Sequence, residues 1–413
     1  MTRLLSMTLA ASLFGGVAYA QDPSEPTPEP TPEVTAETTP EVKAETTPEV
    51  TAEPTTELKA EEKADNSPFK ISGFIDGYMG YLSSEAGQAL PGHQAYVRNN
   101  GFSLAFVGLD LVYDTEYVST TMNLRFGPGV NAFYGAGYFN AGNVTAPVAG
   151  VYSNDSVSAA MQNVTQAFVT LKANDALTVD FGQFSTIYGA EVAESFNNFN
   201  YSRGALYYSF QPFWHTGARF NYKVSDQMTI KAMAVNGVNT FVDTGDSIPQ
   251  IGLQGVYTSE NFSLYLGYLG TLEKKVDGPW DHLVDVVAST SLGGLDLLFN
   301  FDFAMDDGGA NAGNKFNFWG GSLAARKALS DSFKASFRVE YLKDEDAVVL
   351  LAKSLLTNTL TFDWLPLPTP NALIRLDLRF EKSTDGDIFA KRGDTAATDS
   401  AFAAVVGVVV KTN

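Results

Sequence analysis

Cysteine is absent from the 413 residues. That excludes a disulfide framework, a thiolate metal site, a cysteine nucleophile and a lipid-modified N-terminal cysteine. Histidine is nearly absent: His93, His215 and His282 are the whole supply, and no motif that would build a nucleophile–base pair surrounds any of them. No catalytic residue is expected, and the chain reads as a non-enzyme. Long hydrophobic runs are missing too. Beyond the first 20 residues no stretch of 18 apolar side chains occurs, so no helix is expected to cross a membrane. A chain of this kind could sit in lipid only as a closed barrel, because an open sheet edge leaves backbone groups unsatisfied there. Basic residues are scarce, 27 against 47 acids. No basic patch is present to neutralise phosphates, and nucleic acid is excluded as a partner. The one acidic stretch with metal-binding overtones, Asp306-Asp307-Gly308-Gly309 followed by Asn311 and Asn314, lacks the spacing and terminal Glu of a calcium loop. It reads as a plain turn, and neither a metal nor a cofactor is expected.

What is present falls into three zones. Residues 1–20 carry Arg3, an apolar core over 4–17 and an Ala18-Tyr19-Ala20 cleavage pattern, the marks of a secretory signal peptide. Residues 21–68 form a Pro/Thr/Glu/Ala tract with an eight-residue repeat: TPEVTAET from Thr31, TPEVKAET from Thr39, TPEVTAEP from Thr47 and TTELKAEE from Thr55. Residues 21–66 of this tract hold thirteen acids and three lysines, half of the net charge of −20. Prolines remove donors, glutamates repel and few large side chains exist to bury, so a disordered acidic linker is expected.

From residue 69 to 413 the pattern changes to alternation. The clearest instance is LDLLFNFDFAMD, residues 295–306. Leu295, Leu297, Phe299, Phe301, Phe303 and Met305 fall on one side, and Asp296, Leu298, Asn300, Asp302, Ala304 and Asp306 on the other. Period-2 alternation marks a strand, and about 11 residues of it suffice for a tilted strand to cross a bilayer. The pattern recurs. Expected strands run 69–82, 102–113, 117–126, 164–172, 177–183, 213–224, 227–235, 250–257, 262–270, 281–291, 295–306, 315–328, 333–342, 353–364, 372–382 and 401–410. The first of these is Gly-rich and poorly patterned. Connections after even strands are short and those after odd strands are longer. That rhythm predicts an all-β, up-and-down antiparallel transmembrane β-barrel of about 16 strands, with tight turns at one rim and long loops at the other. An even count puts both ends of the barrel chain at the tight-turn rim.

The charged positions of these strands share the face opposite the apolar one: Arg125, Asp180, Arg219, Lys223, Lys231, Asp285, Asp296, Asp302, Lys334, Arg338, Glu340, Arg375, Asp377 and Arg379. Charges facing hydrocarbon would cost a few kcal/mol each, so these are the expected pore-lining residues of a polar, water-filled lumen. Acids and bases on this face roughly balance, which predicts weak charge selectivity, with Arg219, Arg338, Arg375 and Arg379 forming a basic wall across from Asp285, Asp296 and Asp302. Two long segments compete for the role of constriction loop. The first candidate is 127–163, rich in Gly and Asn; its rival is 184–212, whose Glu191, Glu194 and Arg203 could order the loop or line the entrance.

The words FGQFSTIYGAEVAESFNNFNYSRG from Phe181, QPFWHTGARFNY from Gln211 and MAVNGVN from Met233 resemble an outer-membrane β-barrel porin family of Gram-negative bacteria known as porin-2 or OmpL-like. The resemblance covers residue 69 to the C-terminus and is most specific over 181–239; the acidic repeat is not part of it. It implies a barrel of this size acting as a channel and brings no established catalytic or ligand residues. Together these readings lead to an expectation of an outer-membrane porin that passes small polar solutes or ions by passive diffusion. Its partners would be outer-membrane lipid and the solutes themselves. Peptidoglycan or a periplasmic partner is the candidate for the tail, which would lie in the periplasm, and a homotrimer is a common state for barrels of this size. The alternative is a structural anchor or adhesin whose tail ties the barrel to the cell wall.

Overall fold

The computed structural model describes residues 67–83, 100–134, 161–241, 249–271, 280–306, 315–347, 349–350, 352–366, 371–390 and 397–412. The signal peptide, the acidic repeat to residue 66, His93 and most of the candidate loop 127–163 lie outside these residues, as does the turn after Asp306.

Sixteen strands close one antiparallel barrel. In chain order they are β1 (Phe69–Leu82), β2 (Gly101–Asp114), β3 (Val118–Phe126), β4 (Val164–Lys172), β5 (Leu177–Ser185), β6 (Trp214–Lys223), β7 (Met228–Val235), β8 (Gln250–Thr258) and β9 (Phe262–Gly270). They continue with β10 (His282–Leu292), β11 (Leu295–Asp306), β12 (Phe316–Ala328), β13 (Phe333–Asp344), β14 (Ser354–Trp364) and β15 (Ala372–Ser383). A two-stranded hairpin, β16 (Phe389–Ala390) with β17 (Ala397–Thr398), decorates the last long connection before β18 (Ser400–Lys411). Each barrel strand pairs with its predecessor and successor, and β1 pairs with β18, Tyr78 opposite Gly407, to close the ring. Closure leaves no edge, so no ladder group is left to face lipid unpaired.

The side-chain pattern explains the curvature and the face assignment. On β11, Phe299 is exposed, whereas Asn300, Asp302, Ala304 and Asp306 are buried. The same alternation puts Ile71, Phe181, Leu323, Phe337 and Phe380 on the outside. A band of large apolar side chains left open on the outside, with carboxylates buried inside, is the inverse of a water-soluble barrel. Trp364 stacks on Phe333 at the tight-turn rim and Trp319 packs near Tyr341 towards the other, as expected of interfacial aromatic girdles. Both chain ends of the barrel stand at the tight-turn rim, where Phe69 lies opposite Tyr113 and Val410 opposite Ala372. The Gly-rich first strand does alternate: Phe74, Asp76 and Tyr78 are buried on its inner face. The pattern is hard to read from the chain because apolar Phe74, Tyr78 and Leu82 point inward among glycines; the register against β2 shifts where Ala105 of β2 is bulged, opposite Asp76 and Gly77.

Leu323 sits outward near the middle of β12, half exposed and flanked by Phe299 and Val339. Leu323→Arg should destabilise the barrel by about 2–4 kcal/mol in lipid vesicles. Ser322→Ala, on the inward side, should change stability by less than about 0.5 kcal/mol. Urea titrations of the folded protein in vesicles measure both.

Candidate functional site

The lumen is crossed by the connection between β5 and β6. This segment, 186–213, runs inward from the long-loop rim. It forms a 3-10 turn (Ser195–Asn197), then α2 (Ala205–Phe210), and rejoins the wall at Trp214. It is held by polar groups on many strands. On β1, Asp76 accepts hydrogen bonds from Tyr201 Oη (2.8 Å) and Ser195 Oγ (2.6 Å). On β15, Asp377 accepts from the Tyr201 and Ser202 amides (2.9 and 3.2 Å) and from Ser202 Oγ (3.0 Å). Its neighbour Thr361 accepts from Asn200 Nδ2 (2.7 Å). Arg375 grips Asp363 with two nitrogens (2.6 and 2.9 Å) and donates its third to Ser195 O (2.7 Å). Arg379 pairs with Glu381 and donates to Arg203 O at 2.5 Å. Glu340 accepts from the Ala205 and Leu206 amides (3.2 and 3.1 Å) at the start of α2, the end at which a carboxylate is stabilised by free N–H groups. Across the barrel, Gly189 N donates to Asp285 (3.0 Å) and Ala190 N to Asn300 (3.1 Å).

The sequence-predicted residues can now be placed. Asp180, Asp285, Asp302, Arg338, Glu340, Arg375, Asp377, Arg379 and Arg125 are all buried inside the ring. Arg219 and Lys231 are half-buried on the wall of β6 and β7, with Arg219 2.8 Å from Asp180. Asp296 lies close to the tight-turn rim, 3.2 Å from Arg326, and Lys334 is half-buried nearby on β13. Lys223 is exposed at that rim, 2.7 Å from Asp226, rather than within the lumen. Glu191, Glu194 and Arg203 sit deep in the barrel, not at its mouth. Glu191 pairs with Arg338 at 2.5 Å and Glu194 with Arg125 at 2.8 Å, while Arg203 donates to the carbonyls of Tyr201 and Ala193. No basic wall faces an acidic one. Each of the four arginines is answered by an acid beside it, because opposite charges in a confined, low-dielectric lumen gain most at contact distance.

Of the two long loops, the second crosses the lumen along its whole described length. Of the first, α1 (Gly129–Phe133) also turns inward. Its Phe133 joins Tyr207, Tyr208 and Phe213 in an aromatic cluster with centroids 5.6–6.0 Å apart. The remainder, 135–160, is outside the described residues.

Two features escaped the sequence reading. Inward positions near the long-loop rim are apolar, not ionised: Leu269, Leu283, Phe318, Leu342 and Leu355 pack with Leu206 and Phe210 of the loop segment, and Phe210 stacks on Phe318 at 4.1 Å. The lumen is therefore filled there by a second apolar core instead of water. The other feature is glycine on the inner face. A Cβ at Gly267 would meet the Tyr188 ring, one at Gly320 would meet Leu206, and one at Gly407 would meet Tyr201. These glycines are the space the loop occupies. Their inward parity on otherwise regular strands was the available signal. His215 is fully buried, its Nδ1 3.0 Å from Gly237 O and its Nε2 3.3 Å from Thr186 Oγ1, so it fastens loop ends. His282 stands at the outer face beside the Tyr268 hydroxyl (2.9 Å).

Over the described residues the filling is uneven. Thr357, Thr359, Thr361 and the ionic residues of β13–β15 are closed off from solvent. Along β2–β5, by contrast, a cavity of about 370 Å³ remains between wall and loop, lined by Asp110, Asn123, Arg125, Gln166, Ser185, Glu191, Glu194 and Gln211 among others.

Comparison with known proteins agrees with this architecture. Residues 68–411 match the model of the family described as "Putative beta-barrel porin-2, OmpL-like". Among solved structures, the barrel is similar to the anion-selective porin of Comamonas acidovorans, with TM-score 0.54, 12% identity and coverage of 83% of this chain and 99% of that one. It is also similar to the outer-membrane protein OmpT of Vibrio cholerae: the outer-membrane expressed form gives TM-score 0.52 at 13% identity over 83% and 97% of the two chains, and the trimer form 0.51 at 12% over 83% and 99%. At such identities the likeness is one of fold. No curated relative matches.

Asp377→Ala would strip the Tyr201 and Ser202 amides of their acceptor, and Gly407→Leu would push Tyr201 off the wall. Each should accelerate hydrogen exchange at the amides of 195–203 by more than tenfold, at a cost of about 2–4 kcal/mol in local stability. Amides of β11 should be unaffected. Exchange mass spectrometry on the detergent-solubilised barrel reads both.

Proposed function

The chain belongs to the beta-barrel porin-2, OmpL-like family, and from that premise we propose that it is an outer-membrane porin in which small polar solutes or ions diffuse passively along the β2–β5 side of the lumen. The observation that carries this reading is the cavity that the loop leaves along β2–β5. The loop is bonded at many points to β1 and β13–β15, whereas on the β2–β5 side, beside its Glu194–Arg125 pair, a cavity with many polar groups in its lining remains. A barrel that served only as a plug or anchor would have no use for an open polar seam. No nucleophile–base pair is part of this reading.

The same proposal assigns the finer points. Residues 1–20 act as an export signal. The acidic repeat is a disordered spacer in the periplasm, consistent with both barrel ends standing at the tight-turn rim, and it is free there to reach peptidoglycan or a periplasmic partner. Homotrimerisation follows the trimer form of the Vibrio cholerae protein.

The anchor reading keeps one specific support, the closed β13–β15 half of the lumen. Two measurements separate the readings. Purified protein in planar bilayers should show discrete conductance steps, and deleting residues 190–211 should enlarge them severalfold. Deleting residues 21–66 should leave the conductance unchanged, whereas an anchor would lose envelope integrity with its tail. Absence of conductance, together with absence of liposome swelling, would defeat the channel reading.

A further inference from the structure

We infer that the remaining passage prefers cations, and that Asp110 and Glu194 set the preference. This deepens the porin reading and rests on it. In the lining of the cavity one guanidinium, Arg125, faces three carboxylates, Asp110, Glu191 and Glu194. Arg125 of β3 is shared between Asp110 of β2 (2.6 Å) and Glu194 of the loop (2.8 Å). Arg338 of β13 is shared between Glu191 of the loop (2.5 Å) and Glu340 of its own strand (3.2 Å). Arg203 and Arg379 also act on the Glu191–Glu340 pair, so the surplus negative charge belongs to the first group, in which one arginine answers two acids.

The sign presented to the passage is sharpened by depth. The Arg125 side chain is 5% exposed, while its partners Asp110 and Glu194 are 28% and 16% exposed. Arg338 is 2% exposed against 14% for Glu191. The cations are sunk in the wall, and Asp110, Glu194 and Glu191 stand in front of them, while Glu340 lies as deep as Arg338. A permeating ion therefore meets carboxylate oxygens first. The low-dielectric walls weaken screening, so that surplus acts over the few ångströms that matter. The other lining groups, Asn123, Gln166, Ser185 and Gln211 among them, are neutral. They can replace water around a small cation through their oxygens without adding positive charge.

Towards the tight-turn rim the wall changes character. Arg219 is answered by Asp180 at 2.8 Å, and Lys231 lies half-buried on the next strand. A chloride preference would arise if those groups governed instead. This separates the proposal from the balance of charges that composition suggests, and from the Comamonas acidovorans porin, which is anion-selective.

The test is the reversal potential of the full-length protein in a planar bilayer across a tenfold KCl gradient. Potassium should permeate on the order of three- to tenfold faster than chloride, as an uncompensated carboxylate ring dictates. Asp110→Asn and Glu194→Gln, which keep shape and hydrogen bonding, should each lower that ratio by about half or more. Arg219→Gln should leave it the same or raise it. A wild-type channel that conducts with a ratio at or below one overturns the inference and leaves the porin reading standing, as does a ratio unmoved by both carboxylate changes. A protein that folds and inserts but does not conduct overturns the two together.

Discussion

A backbone in hydrocarbon has nowhere to place an unpaired N–H or C=O, and that constraint governs the rest of the structure. It forces the sheet to close, and the pairing of β1 with β18 is the seam at which it does so. Closure in turn fixes which side chains point where. Once Phe299 faces lipid, Asn300 and Asp302 must face in, and the same parity along the strands collects a large set of ionisable groups, Asp76, Arg125, Asp285, Arg338 and Arg375 among them, inside a ring of sixteen strands. The lumen is thus charged as a consequence of the outside being apolar, before any requirement of transport is considered.

A ring of buried charge is a problem that the connection between β5 and β6 solves. Isolated charges in a narrow, poorly hydrated space are costly, and breaking a buried pair costs about 3–5 kcal/mol. Strand-to-strand pairs such as Arg375 with Asp363 satisfy part of the requirement. The loop supplies the rest through its own backbone: the amides of Gly189, Tyr201, Ser202, Ala205 and Leu206 donate to wall acceptors, and the carbonyls of Ser195 and Arg203 accept from wall arginines. Loop and wall therefore specify each other. The segment needs no regular structure of its own beyond one short helix, because the wall provides the partners that a helix or sheet would otherwise provide.

Much of this was legible in the chain. The strands appear within a few residues of their expected limits because lipid and lumen impose opposite chemistry on alternate positions, and 295–306 coincides with β11 end to end. The inward placement of Asp285, Asp302, Arg338, Arg375, Asp377 and Arg379 followed from the same parity. What was not legible is whatever depends on a long-range partner. Phe318 and Leu342 read as ordinary apolar strand residues, and only the presence of Leu206 and Phe210 opposite them makes an inward orientation favourable. Charge balance over the whole inner face said nothing about pairing, which is local. The choice between the two long loops was undecidable from length and glycine content. It turned on acceptors at Asp76, Glu340 and Asp377 that lie more than a hundred residues from their donors.

The asymmetry of the filling has a cause in the wall itself. On β14 the inward positions Thr357, Thr359 and Thr361 are short, on β18 they are Ala401, Ala403, Val405 and Gly407, and all are buried beneath the loop and its partners. On β2–β4 the positions beside the cavity include Asp110, Asn123 and Gln166, longer polar groups that retain partial exposure, although Arg125, Thr165, Asp180 and Gln183 on β3–β5 are buried. A loop entering this ring settles where side chains are small enough to let its backbone approach and where fixed acids await its amides. It is held off where hydrated polar groups would have to be stripped of water without a partner. The cavity beside Asp110, Asn123 and Gln166 is thus a place, among the described residues, where the loop leaves polar wall groups unburied, and it is there that the proposed solute path runs.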